Sequence, residues 1–408
     1  MSLPRPASLL ALASERHRLG DHAAAFAAAS DAVALEPGGA TGWHTLCGLA
    51  YDIAQLEAAI DCGHRAMACD PASDADSLVG AALVASGRWR EALPLFDRAT
   101  SRRHGPPALP EPTTTFAKLK HDAEQIEHLV GVGHLPPALS AAAADYRAIM
   151  AMLPREGNPA VVLEGETRRR VAATYNRLLY RDAGATLDGS ALNPALDAGR
   201  IERAYDRSRP QVAVIDDFLR PDALAALWRY CQDSTVWFAG TYPGGYVGVQ
   251  MGDGFAAPLL FQIADEMKAL LPGIIGDEGL HHLWAFKYDS GFSVGTDLHA
   301  DAARINVNFW VTPDAANLDP DRGGLEIFDV AAPADWDFDS GDFDAVRRHI
   351  EQSGARSLIV PHRQNRAVLF DSDLFHRTDV CRFRDGYMNR RINVTMLYGT
   401  RRSAAPSS

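Results

Sequence analysis

The sequence predicts a multidomain α + β chain: N-terminal helical repeats, a helical connecting region, and a C-terminal jelly roll or β-sandwich with flanking helices. Three observations predict it. Pro37 and Pro71 lie 34 residues apart, and the same offset superposes Leu9 on Trp43, Leu12 on Leu46, Ala25 on Ala59 and Ala32 on Ala66. A period of this length describes a helix pair that buries its apolar face only by stacking on its neighbours. Apolar residues then recur at helical spacing through Phe116, Leu119, Ala123, Ile126 and Leu129. From Gln211 onward, short β-branched and aromatic runs punctuated by turn residues take over.

Each region can be placed in order. A third repeat copy, shifted by one residue, runs through Gly80, Gly87, Ala92, Phe96 and Ala99. Ser101 to Thr115 carries four prolines and reads as a linker. After the Phe116 helix, Gly131, Gly133, Pro136 and Pro137 break the pattern, and a second helix is expected from about Ala138 to Leu153. His121 and Asp122 read as surface or capping groups ahead of ligands, and Arg168 to Arg170 as a solvated helix face ahead of a binding patch. Strands are expected at Val212–Ile215, Leu283–Tyr288, Ile305–Val311, Leu325–Val330, Ser357–Val360, Arg366–Phe370 and Arg391–Tyr398, and Pro221 should open a helix. Phe238 to Phe255, with six glycines, reads equally as a loop that can close as a lid and as a plain surface loop; the acidic insert Asp335 to Asp344 reads as a loop, at a site entrance or simply on the surface. Domains are therefore expected at 1–104, 105–204 and 205–402, with a disordered tail at 403–408.

Composition excludes several classes. At 408 residues the chain has room for about two or three cores. A formal charge of −12 argues against a nucleic-acid partner, which needs a concentrated basic surface. Leu9–Leu12 is too short an apolar patch for a signal peptide, and no run approaches the ~20 residues of a membrane helix. Five scattered cysteines without a C-x-x-C pair suggest reduced thiols, so a cytoplasmic location is expected.

The chemistry concentrates in His299-Ala300-Asp301, followed by His376 and then Arg391. Residues at i and i+2 of a strand point the same way, so His299 and Asp301 can reach one metal from one β-segment. Two imidazoles and a carboxylate can hold one face of iron(II) and leave the other open. His-x-Asp alone is a common dipeptide pattern; the later histidine and arginine in strand contexts give it weight.

In order, Tyr288-Asp289-Ser290-Gly291, His299-x-Asp301, Gly323-Gly324-Leu325, Phe375-His376 and Arg391-Ile392-Asn393 resemble the iron(II)/2-oxoglutarate-dependent oxygenases, of prolyl-hydroxylase-like double-stranded β-helix type. The stretch Asn365 to His376 looks like that family's strand delivering the second histidine. The resemblance covers about Val212 to Arg402, and the 34-residue period separately resembles the tetratricopeptide repeat. The first resemblance implies His299, Asp301 and His376 as metal ligands, with no catalytic side chain beyond them. It implies Arg391 as the partner of the distal carboxylate of 2-oxoglutarate, with Tyr288 adding a phenol hydrogen bond or serving only as a strand aromatic.

Arg391 is preferred to Arg390, because Ile392, Val394 and Met396 would then pack on the opposite strand face. Asn306 and Asn308 share a face and either orient a ligand or form a structural ladder; Asp371 or Asp373 would support an imidazole, or form a turn. The implied activity is a dioxygenase using iron(II), 2-oxoglutarate and O2, with ascorbate as reductant. It would hydroxylate a peptide, protein or small molecule and release succinate and CO2. Asp301 disfavours halogenation, since related halogenases lack the ligand carboxylate. The alternatives are a repeat-type binding scaffold with an inactive β-domain and a cupin-like dioxygenase. The repeats imply a protein partner or a homo-oligomer.

Overall fold

The computed structural model describes residues 5–106, 112–242, 244–289, 291–292, 298–333, 336, 338 and 342–401. Ser290, Arg402, the 403–408 tail, part of the proline-rich linker and residues 335, 337 and 339–341 of the acidic insert lie outside the described residues.

Six helices come first: α1 (Pro6–Arg18), α2 (His22–Leu35), α3 (Ala40–Asp52), α4 (Leu56–Cys69), α5 (Ala75–Ala85) and α6 (Trp89–His104). They form three antiparallel pairs. The chain reverses within each pair at Gly20, Ala54 and Gly87, all with left-handed backbone (φ +75°, +56° and +80°). Small residues where the helices meet, Ala25, Ala29, Ala59, Ala66, Ala92 and Ala99, are fully buried, so the backbones pack closely. Asp21 caps α2 by accepting a hydrogen bond from Ala24 N at 3.1 Å.

The stack is not a free-standing module. Tyr51 donates to the His281 carbonyl at 2.5 Å, Trp89 to Asp265 at 2.7 Å and Arg103 to the Gly252 carbonyl at 2.9 Å. One hydrophobic core runs without a break from Ala13 in α1 to Tyr398 near the C-terminus.

Between repeats and β-domain lie β1 (Thr113–Thr114), α7 (Phe116–Gly131), α8 (Ser140–Met150), β2 (Val161–Val162), α9 (Gly165–Val171) and α10 (Ala198–Arg207). The apolar stripe Leu119, Ala123, Ile126 and Leu129 of α7 packs on Ala143, Tyr146 and Ile149 of α8. The first four residues of the expected linker belong to α6, and α10 crosses the boundary expected at 204/205. The other face of α7 corrects a reading. His121 is fully buried, its Nδ1 is 3.0 Å from Asp122, and Asp122 pairs with buried Lys118. Charged positions opposite an apolar stripe read as solvated until another surface covers them.

The remainder contains β3 (Val212–Ile215), α11 (Pro221–Asp233), β4 (Tyr246–Gln250), α12 (Pro258–Leu270), β5 (Leu280–Tyr288), β6 (Ile305–Trp310), β7 (Leu325–Ala331), α13 (Phe343–Ser353), β8 (Ser357–Val360), β9 (Ala367–Asp371), β10 (Leu374–Thr378) and β11 (Arg391–Tyr398). A six-stranded antiparallel sheet runs β3-β9-β6-β11-β5-β4, and a three-stranded sheet β10-β7-β8. Val212, Trp310, Val368 and Phe370 of the first sheet pack on Leu325, Ile327, Val360 and Leu374 of the second.

Three expectations change here. The glycine-rich 238–255 segment is not all loop: it contains β4, hydrogen-bonded along β5, and Gly248 sits where a Cβ would lie 2.9 Å from the Phe286 ring. The stretch leading to His376 is two strands: β9 in the large sheet, then a turn into β10 in the small one. His299 and Asp301 lie outside any named strand; His299 makes an isolated antiparallel bridge with His376.

Candidate metal centre

That bridge brings the distant ligands together. His299 N donates to the His376 carbonyl at 3.0 Å, and His376 N donates back at 2.8 Å. Two residues on, Asp301 N donates to the Ser372 carbonyl at 3.2 Å and the Ser372 hydroxyl to the Asp301 carbonyl at 3.1 Å. The 298–301 segment is thus stitched to the β9–β10 turn. One potential ligand atom each from His299, Asp301 and His376 lies within 4.8 Å of the others. His376 Nε2 is 3.4 Å and His299 Nε2 3.8 Å from the Asp301 carboxylate.

The orientation of each group has a cause. His376 Nδ1 is 3.0 Å from the Leu374 carbonyl. A carbonyl only accepts, so Nδ1 carries the proton and the Nε2 lone pair faces the cluster. The support is therefore a main-chain carbonyl and neither aspartate: Asp373 pairs with Arg401 at 2.8 Å, and Asp371 accepts from Asp373 N. Burial pushes the Asp301 carboxyl up; when the imidazoles are protonated, the His376 hydrogen bond and the imidazole charges outweigh it and hold the group below its usual range. Asn306 Nδ2 donates to the same carboxylate at 2.7 Å.

The triad opens onto a small, partly open cavity between the sheets. One wall is the aromatic row Trp284, Phe286 and Tyr288 on alternate positions of β5; Asn393 and Thr395 of β11 and Thr378 of β10 line other parts. Arg391 lies on the Asn393 and Thr395 face of its strand, while Ile392, Val394, Met396 and Tyr398 enter the large core behind the sheet. Arg391 is fully buried. It donates to the carbonyls of Gly323 at 2.6 Å and Gly324 at 3.1 Å and to Asn393 Oδ1 at 3.1 Å. Those carbonyls reach it because a left-handed Gly323 (φ +84°) turns the chain, and at Gly324 a Cβ would lie 1.9 Å from the Val360 carbonyl oxygen. Among the described residues, no carboxylate pairs with Arg391 within 4.0 Å. Its guanidinium lies 4.9 Å from the Tyr288 ring centroid, and the Tyr288 hydroxyl is 3.1 Å from the Thr378 hydroxyl.

Arg390 points the other way. It pairs with Glu124 of α7 at 2.7 Å and with Asp289 at 3.0 Å, and Lys120 reaches Asp289 at 2.6 Å. The connecting helix thereby clamps the strand ends that carry Tyr288 and Arg391. Asn393, Thr395, Thr378, Trp284 and Phe286 were given no role from sequence. The period-two row of aromatics at 284, 286 and 288, and of polar groups at 391, 393 and 395, was the available signal.

No protein-family model matches the chain, and no curated protein matches it. Among solved structures, it is similar to the non-heme alpha ketoglutarate dependent epimerase SnoN from nogalamycin biosynthesis: 16% identity, 51% of this chain and 87% of that one, TM-score 0.37. It is also similar to HygX from Streptomyces hygroscopicus, with nickel and 2-oxoglutarate bound: 13% identity, 50% of this chain and 88% of that one, TM-score 0.34. MamA is 19% identical over 36% of this chain and 77% of its own, TM-score 0.23.

Proposed function

We propose that the chain is an iron(II)/2-oxoglutarate-dependent dioxygenase that hydroxylates an organic substrate, peptide-borne or free, releasing succinate and CO2. The facing six- and three-stranded sheets are read as a distorted double-stranded β-helix. The observation that carries the proposal is the pairing of His299, Asp301 and His376, which line the inter-sheet cavity, with Arg391, a buried cation without a carboxylate partner among the described residues, on the strand face whose Asn393 and Thr395 line the same cavity. A buried guanidinium held only by main-chain carbonyls and an amide is a strong site for an anion, since a carboxylate would supply the missing charge.

The donor set fits the metal. Two neutral imidazoles and a carboxylate suit iron(II), and the absence of thiolate among these ligands disfavours a structural zinc site. Iron(II) with 2-oxoglutarate and O2 would supply the oxidising chemistry. The chain's own work is positioning. His299, Asp301 and His376 would hold one face of the ion. Arg391, with the Tyr288 and Thr378 hydroxyls, would hold the distal carboxylate, and the Trp284 and Phe286 rings would exclude water and give the substrate an apolar wall.

Anaerobic addition of iron(II) and then 2-oxoglutarate to the full-length protein tests this directly. A visible charge-transfer band, followed under O2 and ascorbate by succinate release, is the expected result. Neither band nor succinate, with metal shown to be bound, would refute the reading.

A further inference from the structure

We propose that Asn306 and Asn308 act as a polarised amide relay, which holds Asp301 in its cluster-facing orientation and ties that orientation to Arg391. The inference deepens the reading above and rests on it, in that Asp301 is taken as a metal ligand and Arg391 as the anion site.

The relay has one direction. Asp301 is a carboxylate and only accepts, so the group 2.7 Å away must be Asn306 Nδ2. Asn306 Oδ1 then has to accept, and it receives Asn308 Nδ2 at 2.6 Å. Asn308 Oδ1 receives Asn393 Nδ2 at 3.0 Å and the Thr395 hydroxyl at 2.7 Å. Asn393 Oδ1 receives the Arg391 guanidinium at 3.1 Å, and a guanidinium only donates. An acceptor at one end and a donor at the other leave a single assignment for all three amides. Turning any one of them would set donor against donor, or acceptor against acceptor.

Burial gives the relay its force. Asn306 is fully buried, and Asn308 and Asn393 are 4% and 5% exposed, so water competes poorly for any link. In such a medium each hydrogen bond polarises the next. The links also sit on adjacent strands in fixed register, with Asn308 opposite Thr395 across β6 and β11. A ladder serving only to satisfy buried amides would not need a carboxylate at one end and a cation at the other. Asn308 has no contact with Asp301 among the hydrogen bonds it makes, yet it sets which way Asn306 points.

The test is Mn(II) binding by titration calorimetry to the full-length chain, with no 2-oxo acid present and no turnover required. Asn306→Leu should weaken Mn(II) about 10- to 100-fold, the usual consequence of losing the partner that orients a ligand. Asn308→Leu should weaken it about 5- to 10-fold, and the double variant should be no weaker than Asn306→Leu alone, because the two act in series. Asn308→Asp keeps the shape, presents an acceptor to the Asn306 oxygen and should weaken Mn(II) as well; it serves if the leucine variant fails to fold, as judged by circular dichroism. Mn(II) affinity within two-fold of wild type in a folded Asn308 variant, or effects that multiply in the double variant, would overturn the relay. A wild-type chain that binds no Mn(II) would instead remove the metal-site reading and the relay together.

Discussion

Exchanging each of two adjacent arginines for methionine should have opposite consequences. Arg390 is 3% exposed and pairs with Glu124 and Asp289 at 2.7 and 3.0 Å. Its loss leaves the buried Asp289 and the part-buried Glu124 sharing Lys120, which is 2.6 Å from Asp289 but 4.0 Å from Glu124. Breaking a buried pair in this way costs about 3–5 kcal/mol. Arg391 is equally buried but has no carboxylate partner among the described residues, so Arg391→Met removes an uncompensated charge along with its hydrogen bonds. The two Gly carbonyls left without it cost about 1–3 kcal/mol each, offset by no longer desolvating a cation, for a net change within about 2 kcal/mol. The binding effects reverse. Arg391→Met should lose about 3 kcal/mol of 2-oxoglutarate affinity, roughly 100-fold, while Arg390→Met changes it by less than about threefold. Urea unfolding gives the stabilities, and anaerobic calorimetry with Mn(II) present gives the affinities. Equal destabilisation by both changes, or loss of 2-oxoglutarate binding in Arg390→Met alone, would refute the reasoning.

Other perturbations probe the scaffold. Ala54→Gly should stabilise the chain by about 0.5–1 kcal/mol, because Ala54 holds the left-handed turn (φ +56°) that glycine holds in the other two helix pairs; a rise in Tm checks this. Gly279→Ala should destabilise by about 1–3 kcal/mol and loosen the repeats from β5, since the added Cβ would lie 1.8 Å from the Ala85 carbonyl oxygen; urea unfolding and proteolysis after α6 would show it. Stability should also fall in mild acid. Burial lowers His362 to about 3 and His281 to about 4, from an ordinary 6.5. Both are neutral when folded but protonate when unfolded, so their contribution is complete above pH 6.5 and shrinks as pH drops toward 3–4. Between pH 7.5 and 5 each accounts for a loss of about 2 kcal/mol, and His362→Phe should remove its share in urea titrations at the two pH values.

Sequence by itself determined what local pattern can carry. The 34-residue period places three helix pairs, because helix packing repeats small and apolar residues at fixed spacing along the chain. Period-two alternation in 391–398 decides which arginine shares a face with Asn393 and which does not, because strand side chains alternate. His299, Asp301 and His376 were nameable as a set from residue type and order.

Tertiary structure decided the rest, because it depends on contacts between residues far apart in the chain. The bridge from His299 to His376 joins segments with no local signal of pairing, and a strand was expected where only that bridge exists. His121 and Asp122 looked solvated until the β-domain covered α7, and Gly248 looked like loop until close packing of β4 on the Phe286 ring of β5 required it. The direction of the amide chain from Arg391 to Asp301 belongs to no single strand; it exists only where β6 and β11 lie side by side.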